Sequence, residues 1–108
     1  MDDESEYERR FEQLRKAYVE RNRLRIERAT AWVEQARHDK AVVRKLHKMA
    51  HELAGSGTTY GFPEISGHAA SLERRLEPLV RDDLVLPDVQ FAAEVEALIG
   101  ALYAEFPT

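Results

Sequence analysis

Apolar residues recur along this chain at spacings of three and four, the period of an amphipathic helix, and nowhere alternate with a sustained period of two. Tyr7, Phe11, Leu14 and Tyr18 form a first series, and Ile26, Ala29, Trp32, Val33 and Ala36 a second. The two are slightly out of phase around Glu20 to Arg23. A bend or short break is expected there, although no Pro or Gly enforces it and one long curved helix would also fit. Trp32 sits inside its series and is expected in the core. Ser5 with Glu8 fits a capping box for the first helix, and the acidic residues 1 to 4 ahead of it are expected to fray.

Arg37-His38-Asp39-Lys40 reads as a polar connection, with Asp39 as N-cap of the next helix. Val42, Leu46, Met49, Ala50 and Leu53 make that helix's apolar stripe. It is expected to reach Tyr60, with Gly61 as its stop and Pro63 as the start of the following helix. Ile65, Ala69, Leu72 and Leu76 give the third helix an inner face, leaving Glu64, Glu73, Arg74 and Arg75 toward solvent. Pro78 is expected at its end or just beyond. In the connection 79–86, Leu79, Leu84 and Leu86 are expected to tuck under the loop. Pro87 suits the first position of a last helix carried by Phe91, Val95, Leu98, Leu102 and Phe106. The pattern predicts an all-α fold: an antiparallel four-helix bundle, with an extra short N-terminal helix if the first segment breaks.

Composition narrows the class without changing this picture. The 108 residues make one domain, 1–108, large enough for a core without staples. A hydrophobic fraction of 44% with 33% charged residues is the mixture of a soluble helical domain. Cysteine is absent, which removes disulfides, thiolate metal sites and cysteine nucleophiles. No apolar run approaches the roughly 20 residues of a membrane span, and the acidic start is unlike a signal peptide, so a cytoplasmic location with no membrane partner is expected. A net charge of −4 argues against a nucleic-acid partner. The basic residues between Arg9 and Arg28 alternate with Glu8, Glu12, Glu20 and Glu27, as on a solvated helix face.

The stretch Leu46 to Gly61, LHKMAHELAGSGTTYG, holds the candidate chemistry. At about 100° per residue, His51 projects well away from the apolar stripe and toward water. Arg44, His47, Lys48, Gly55 and Thr58 fall near it. His47 and His51 at i, i+4 could face a metal, but Lys48 stands where a zincin has Glu, and no third ligand is evident, so no metal site is expected. Ser56, Thr58 and Thr59 offer hydroxyls, yet Ser56 lies well round the helix from His51 and no orienting acid completes a triad. The Gly-Ser-Gly run lacks the spacing of a phosphate-binding loop. A phosphoryl acceptor at His51 survives this sorting. A free imidazole titrates near about 6.5, so its neutral, nucleophilic form is well populated near neutrality. Phosphoryl transfer asks for in-line access and nearby positive charge. Lys48 and Arg44 can supply the charge, and Gly55, one turn past the imidazole, removes a side chain that would obstruct an incoming phosphoaspartate.

The segment Ala50-His51-Glu52-Leu53-Ala54-Gly55-Ser56, followed by Gly61 and by Ile65 through Leu72-Glu73, resembles a histidine-containing phosphotransfer (HPt) domain. The close match covers about residues 46 to 73, and the flanking helices agree in pattern. The resemblance implies a phosphorelay intermediate of two-component signalling, free-standing or excised from a larger protein. His51 would take a phosphoryl group from one receiver-domain aspartate and pass it to another. It further implies receiver domains and a hybrid histidine kinase as partners, a carrier rather than an enzyme, no cofactor of its own, and magnesium on the receiver; a bundle that satisfies its apolar stripes internally is expected to be a monomer. Many members carry Lys three residues after the histidine; here that position is Ala54, and Lys48 is the candidate replacement for the charge. An alternative reading is a bundle that binds and inhibits a receiver or kinase without carrying phosphate.

Overall fold

The computed structural model describes residues 3–107. Four helices follow one another: α1, Asp3–Ala36; α2, Lys40–Ser56; α3, Pro63–Arg81; and α4, Val89–Ala104. A 3-10 turn, Thr58–Tyr60, links α2 to α3. Side-chain pairs between helices give the directions. Tyr18 meets Ser56 and Arg25 meets Glu52 across α1 and α2. His47 meets Glu77 and His51 meets Glu73 across α2 and α3. Arg75 meets Glu94 and His68 meets Glu105 across α3 and α4. In each case the numbers run in opposite senses, so neighbouring helices are antiparallel. α4 returns beside α1, where Tyr103 bonds Glu27 and the Leu86 amide donates to the Ala36 carbonyl. The architecture is the expected up-down four-helix bundle, and α2 against α3 is its most extensive interface.

The expected break in α1 does not occur, and no fifth α-helix forms among the described residues. Asn22, 4% exposed, supplies the missing step in the stripe Tyr18–Asn22–Ile26–Ala29–Val33. Its amide donates to the Tyr18 carbonyl at 2.9 Å, so a polar residue sits in the core with its donor satisfied and the helix continues. The capping box fails for a related reason: α1 already includes Asp3 and Glu4, and Ser5 is inside it. Of the fraying expected over residues 1–4, residues 1 and 2 lie outside the described residues.

α1 is 34 residues long, about 51 Å at 1.5 Å per residue, against 17 residues for α2. Its first turns therefore project past the other three helices, and the whole molecule measures 57 × 24 × 19 Å. Tyr7 and Leu14 are 71% and 56% exposed, although they keep the helical spacing expected of core residues. Trp32 is half-buried at the margin of the core, with the Lys45 ammonium 4.7 Å from its ring centroid.

Helix ends account for the other departures. Asp39 caps α2 as expected, accepting from the Ala41 amide at 2.9 Å. α2 stops at Ser56, short of Tyr60, and the 3-10 turn carries the chain on to Gly61. Gly61 has φ 87°, and amides from Phe62 and Gly61 close back on the carbonyls of Gly57 and Thr58, a Schellman closure. Pro78 lies inside α3 rather than ending it. It sits in the last turn on the exposed face, and Asp83 supplies the real stop in the left-handed conformation, φ 57°. Leu84 donates to Leu79 and Asp83 to Val80, so Asp83 occupies the place glycine usually takes. Leu84 is consequently 50% exposed, whereas Leu79 and Leu86 are buried as expected. Pro87 precedes α4 instead of opening it, because Asp88 is the N-cap and accepts from the Phe91 amide at 2.7 Å.

Candidate functional site

His51 stands in the second half of α2, between residues that hold the helix down. Leu46, Met49, Ala50 and Leu53 are all 1% exposed or less, so the position of the imidazole is set by core packing. The His51 side chain itself is 72% exposed. Its Nδ1 lies 2.6 Å from Oε2 of Glu73 on α3. An ionised carboxylate can only accept, so the hydrogen of this contact belongs to Nδ1. Nε2, on the far side of the ring, makes no hydrogen bond with any described residue. In the neutral imidazole, Nε2 then carries the lone pair and faces outward.

Glu73 was expected in solvent; its side chain is 24% exposed and belongs to the site. One turn away the same arrangement recurs, with His47 Nε2 2.6 Å from Glu77 Oε2. The His47 side chain is only 19% exposed, so His47 is a bridge between α2 and α3 rather than an open surface group. The i, i+4 spacing of the two histidines is matched, in reverse order, by the i, i+4 spacing of Glu73 and Glu77. That correspondence is written in the sequence, but it becomes meaningful only once α2 and α3 are known to pair antiparallel in this register.

The cations divide. Lys48 is exposed, three residues before His51, and makes no ion pair among the described residues. Arg44 lies two turns back, about 10 Å along the axis, and its guanidinium is held 2.9 Å from Asp83. Lys40 joins the same carboxylate at 3.0 Å. The Lys40 hydrogen bond, with further help from Arg44, holds the Asp83 carboxyl below its ordinary range. Arg44 is therefore committed to the end of α3 and is not grouped with His51. On the other flank, Arg25 of α1 pairs with Glu52 at 2.7 Å, beside the histidine.

Beyond His51 the surface is low. A Cβ built on Gly55 meets nothing within 4 Å, so the residue is small without being crowded by its own fold. Ala54 is half-buried and packs against the core. Gly57, two residues on and weighed in the sequence only as part of the Gly-Ser-Gly run, has the opposite character. It is buried and helical, and a Cβ there would stand 2.7 Å from Ser66 Oγ and 2.8 Å from two backbone atoms of Phe62 and Ser66. It lets α3 start hard against the end of α2. Ser66 Oγ accepts from the Thr58 amide at 2.8 Å and contacts the Thr58 hydroxyl at 3.1 Å, so Thr58 serves the turn. Ser56 is half-buried against the Tyr18 hydroxyl at 2.8 Å.

A four-helix bundle that fixes an exposed imidazole on its second helix, with one nitrogen anchored and the other free, defines a class of protein that presents a reactive histidine to a partner. The family model of the Hpt domain matches residues 5–105, nearly the whole chain, and the chain belongs to that family. Comparisons with curated proteins and with solved structures found no match. Hpt domains are phosphocarrier modules of two-component signalling that interact with receiver domains and kinases, and this chain has a phosphotransfer-type role of that kind. No helix among the described residues is long and apolar enough to cross a membrane.

Proposed function

We propose that this chain is a phosphorelay intermediate whose phosphoryl carrier is Nε2 of His51, working between receiver-domain aspartates. The observation that carries the reading is the Glu73 contact, which takes Nδ1 and leaves Nε2 as the only open nucleophile of an exposed ring. In the transfer, the Nε2 lone pair attacks phosphorus of a receiver's acyl phosphate. The new N–P bond forms as the aspartyl O–P bond breaks, and the aspartate leaves as a carboxylate. The Nδ1 hydrogen stays where it is, and the positive charge gained by the ring faces the Glu73 carboxylate. Reversal of the same step onto a second receiver returns the imidazole to its starting state.

Positioning and access are what such a carrier needs, because the covalent demands of phosphoryl transfer are small. Gly55 leaves room for the receiver's loops beside the imidazole. Lys48 offers a positive charge to the equatorial oxygens, in the role that Ala54 cannot fill. In this scheme magnesium would sit in the receiver's acidic pocket and would supply charge neutralisation for the phosphoryl oxygens. The carrier acts as a monomer without an ATP site of its own, with a hybrid histidine kinase upstream.

The test is incubation with a phosphorylated receiver. Label should move onto the protein, be stable to alkali and labile to acid as a phosphoramidate is, and be lost in His51→Gln. A variant that still accepts label, or a wild-type protein that binds the receiver and never does, overturns the assignment of His51. The second of those results would favour a bundle that acts by binding alone.

A further inference from the structure

We propose that His47, Glu73 and Glu77 form a binding site for a divalent transition ion of the zinc class, on the α2–α3 face one turn from His51. One ligand atom from each, a ring nitrogen of His47 and one carboxylate oxygen from each glutamate, lies within 4.8 Å of the other two, and Nε2 is the His47 nitrogen that meets Glu77. The sequence offered a histidine pair with no third ligand. The fold pairs one of those histidines with two carboxylates from the neighbouring helix instead.

The donor set selects the ion. One imidazole and two carboxylates contribute two negative charges, matching a divalent cation, and the mixture of nitrogen and oxygen suits zinc or its late first-row neighbours. Magnesium prefers an all-oxygen octahedron. Zinc takes such ligands at about 2.0–2.2 Å, which puts neighbouring donors of a tetrahedron about 3.4 Å apart. The hydrogen-bonded His47–Glu77 pair, at 2.6 Å, has to open to that spacing, while any separation nearer the 4.8 Å limit has to close. The half-buried His47 ring is the fixed member, and Glu77, whose side chain is 51% exposed, has the freedom to adjust. His47 must first give up the hydrogen it shares with Glu77, by loss or by a shift to Nδ1. Three protein ligands leave a fourth position for solvent, the arrangement of an open zinc site. The nearby positive charge does not forbid this. Arg44 is held on Asp83, and Lys48 projects about 100° round α2 from His47.

The site shares Glu73 with His51. An ion that recruits this carboxylate competes with the 2.6 Å contact to Nδ1 and so reaches the imidazole without touching it. Ion binding itself does not depend on His51 carrying phosphate, and its test needs no phosphate.

The experiment is titration of the full chain with Zn²⁺ alone, followed by calorimetry and by long-range nitrogen–proton spectra of the histidine rings. Expected are one ion per chain in the micromolar range or tighter, movement of His47 Nε2 to a metal-bound resonance, and a shift at His51 Nδ1. His47→Gln and Glu77→Gln should each weaken binding about 10-fold or more, and His51→Gln, which frees Glu73 from its competing contact, should bind Zn²⁺ at least as tightly as wild type. Glu77→Gln is the safer variant, since its side chain is the more exposed, and circular dichroism checks the fold of each. Binding seen only at millimolar zinc overturns the proposal. So does binding that survives both His47→Gln and Glu77→Gln, or that is lost with His51→Gln.

Discussion

Glu73 decides which nitrogen of the His51 ring is left open, and its replacement isolates that role. In Glu73→Gln the side-chain amide can donate or accept, so the ring is no longer held to one tautomer. The fold should survive, and phosphoryl transfer should slow on the order of 10-fold, the lower end of the scale for losing a carboxylate that orients a metal-bound imidazole. Ring-nitrogen spectra should show a mixed tautomer population at His51; an unchanged population would remove Glu73 from the scheme. Lys48→Ala probes the neighbouring charge. An exposed side chain of this kind changes stability by less than about 0.5 kcal/mol, so a slower gain or loss of phosphate with unaltered melting would assign Lys48 to transfer, and an unchanged rate would exclude it.

At the scale of elements, two glycines around the end of α2, one open and one packed, should respond oppositely to an added methyl. Gly55→Ala places a methyl in open space on a helix, where alanine is favoured over glycine by up to about 1 kcal/mol. Thermal unfolding should show equal or higher stability. Gly57→Ala drives a Cβ against backbone of the α3 start, and overpacking of this kind costs about 1–3 kcal/mol. A stable Gly57→Ala variant would contradict the close α2–α3 approach. Beneath the histidine, Leu53→Ala should cost about 2–5 kcal/mol by opening a cavity in the core, read by denaturant unfolding. The helical periods and the Asp39 and Gly61 caps were legible because they depend on nearest neighbours along the chain. Pro78 and Pro87 were misleading for the same reason. A proline marks a place where a helix can begin or end, and the Asp83 and Asp88 hydrogen bonds fix where it does.

Across the whole molecule, the bundle is tied at both ends by contacts far apart in sequence. At one end Tyr60 stacks on Tyr18 with centroids 4.3 Å apart, Phe11 lies 6.5 Å from Tyr60, and Arg15 donates to the Tyr60 carbonyl at 2.9 Å. This cluster joins the early turns of α1 to the turn that follows the histidine helix. At the other end Asp83 receives Lys40 and Arg44. Its carboxyl is held below the ordinary range, so the tie is present above the unfolded aspartate value of about 4 and is lost as pH falls through the lower folded value. Wild type should melt above Asp83→Asn at neutral pH by a small margin, since the pair is exposed. That margin should vanish in acid; a margin independent of pH would mean the tie is not electrostatic.

The sequence by itself determined the helices, the apolar faces, the family motif and the exposure of His51, since all of these follow from periodicity and local chemistry. Tertiary structure alone decided that Asn22 lies in the core and α1 is unbroken, that Arg44 is spent on Asp83, and that Glu73 belongs to the histidine. Each of these depends on which residues of separate helices come face to face. That register is set by the packing of α2 against α3 and of α1 across both ends, a property of the assembled bundle.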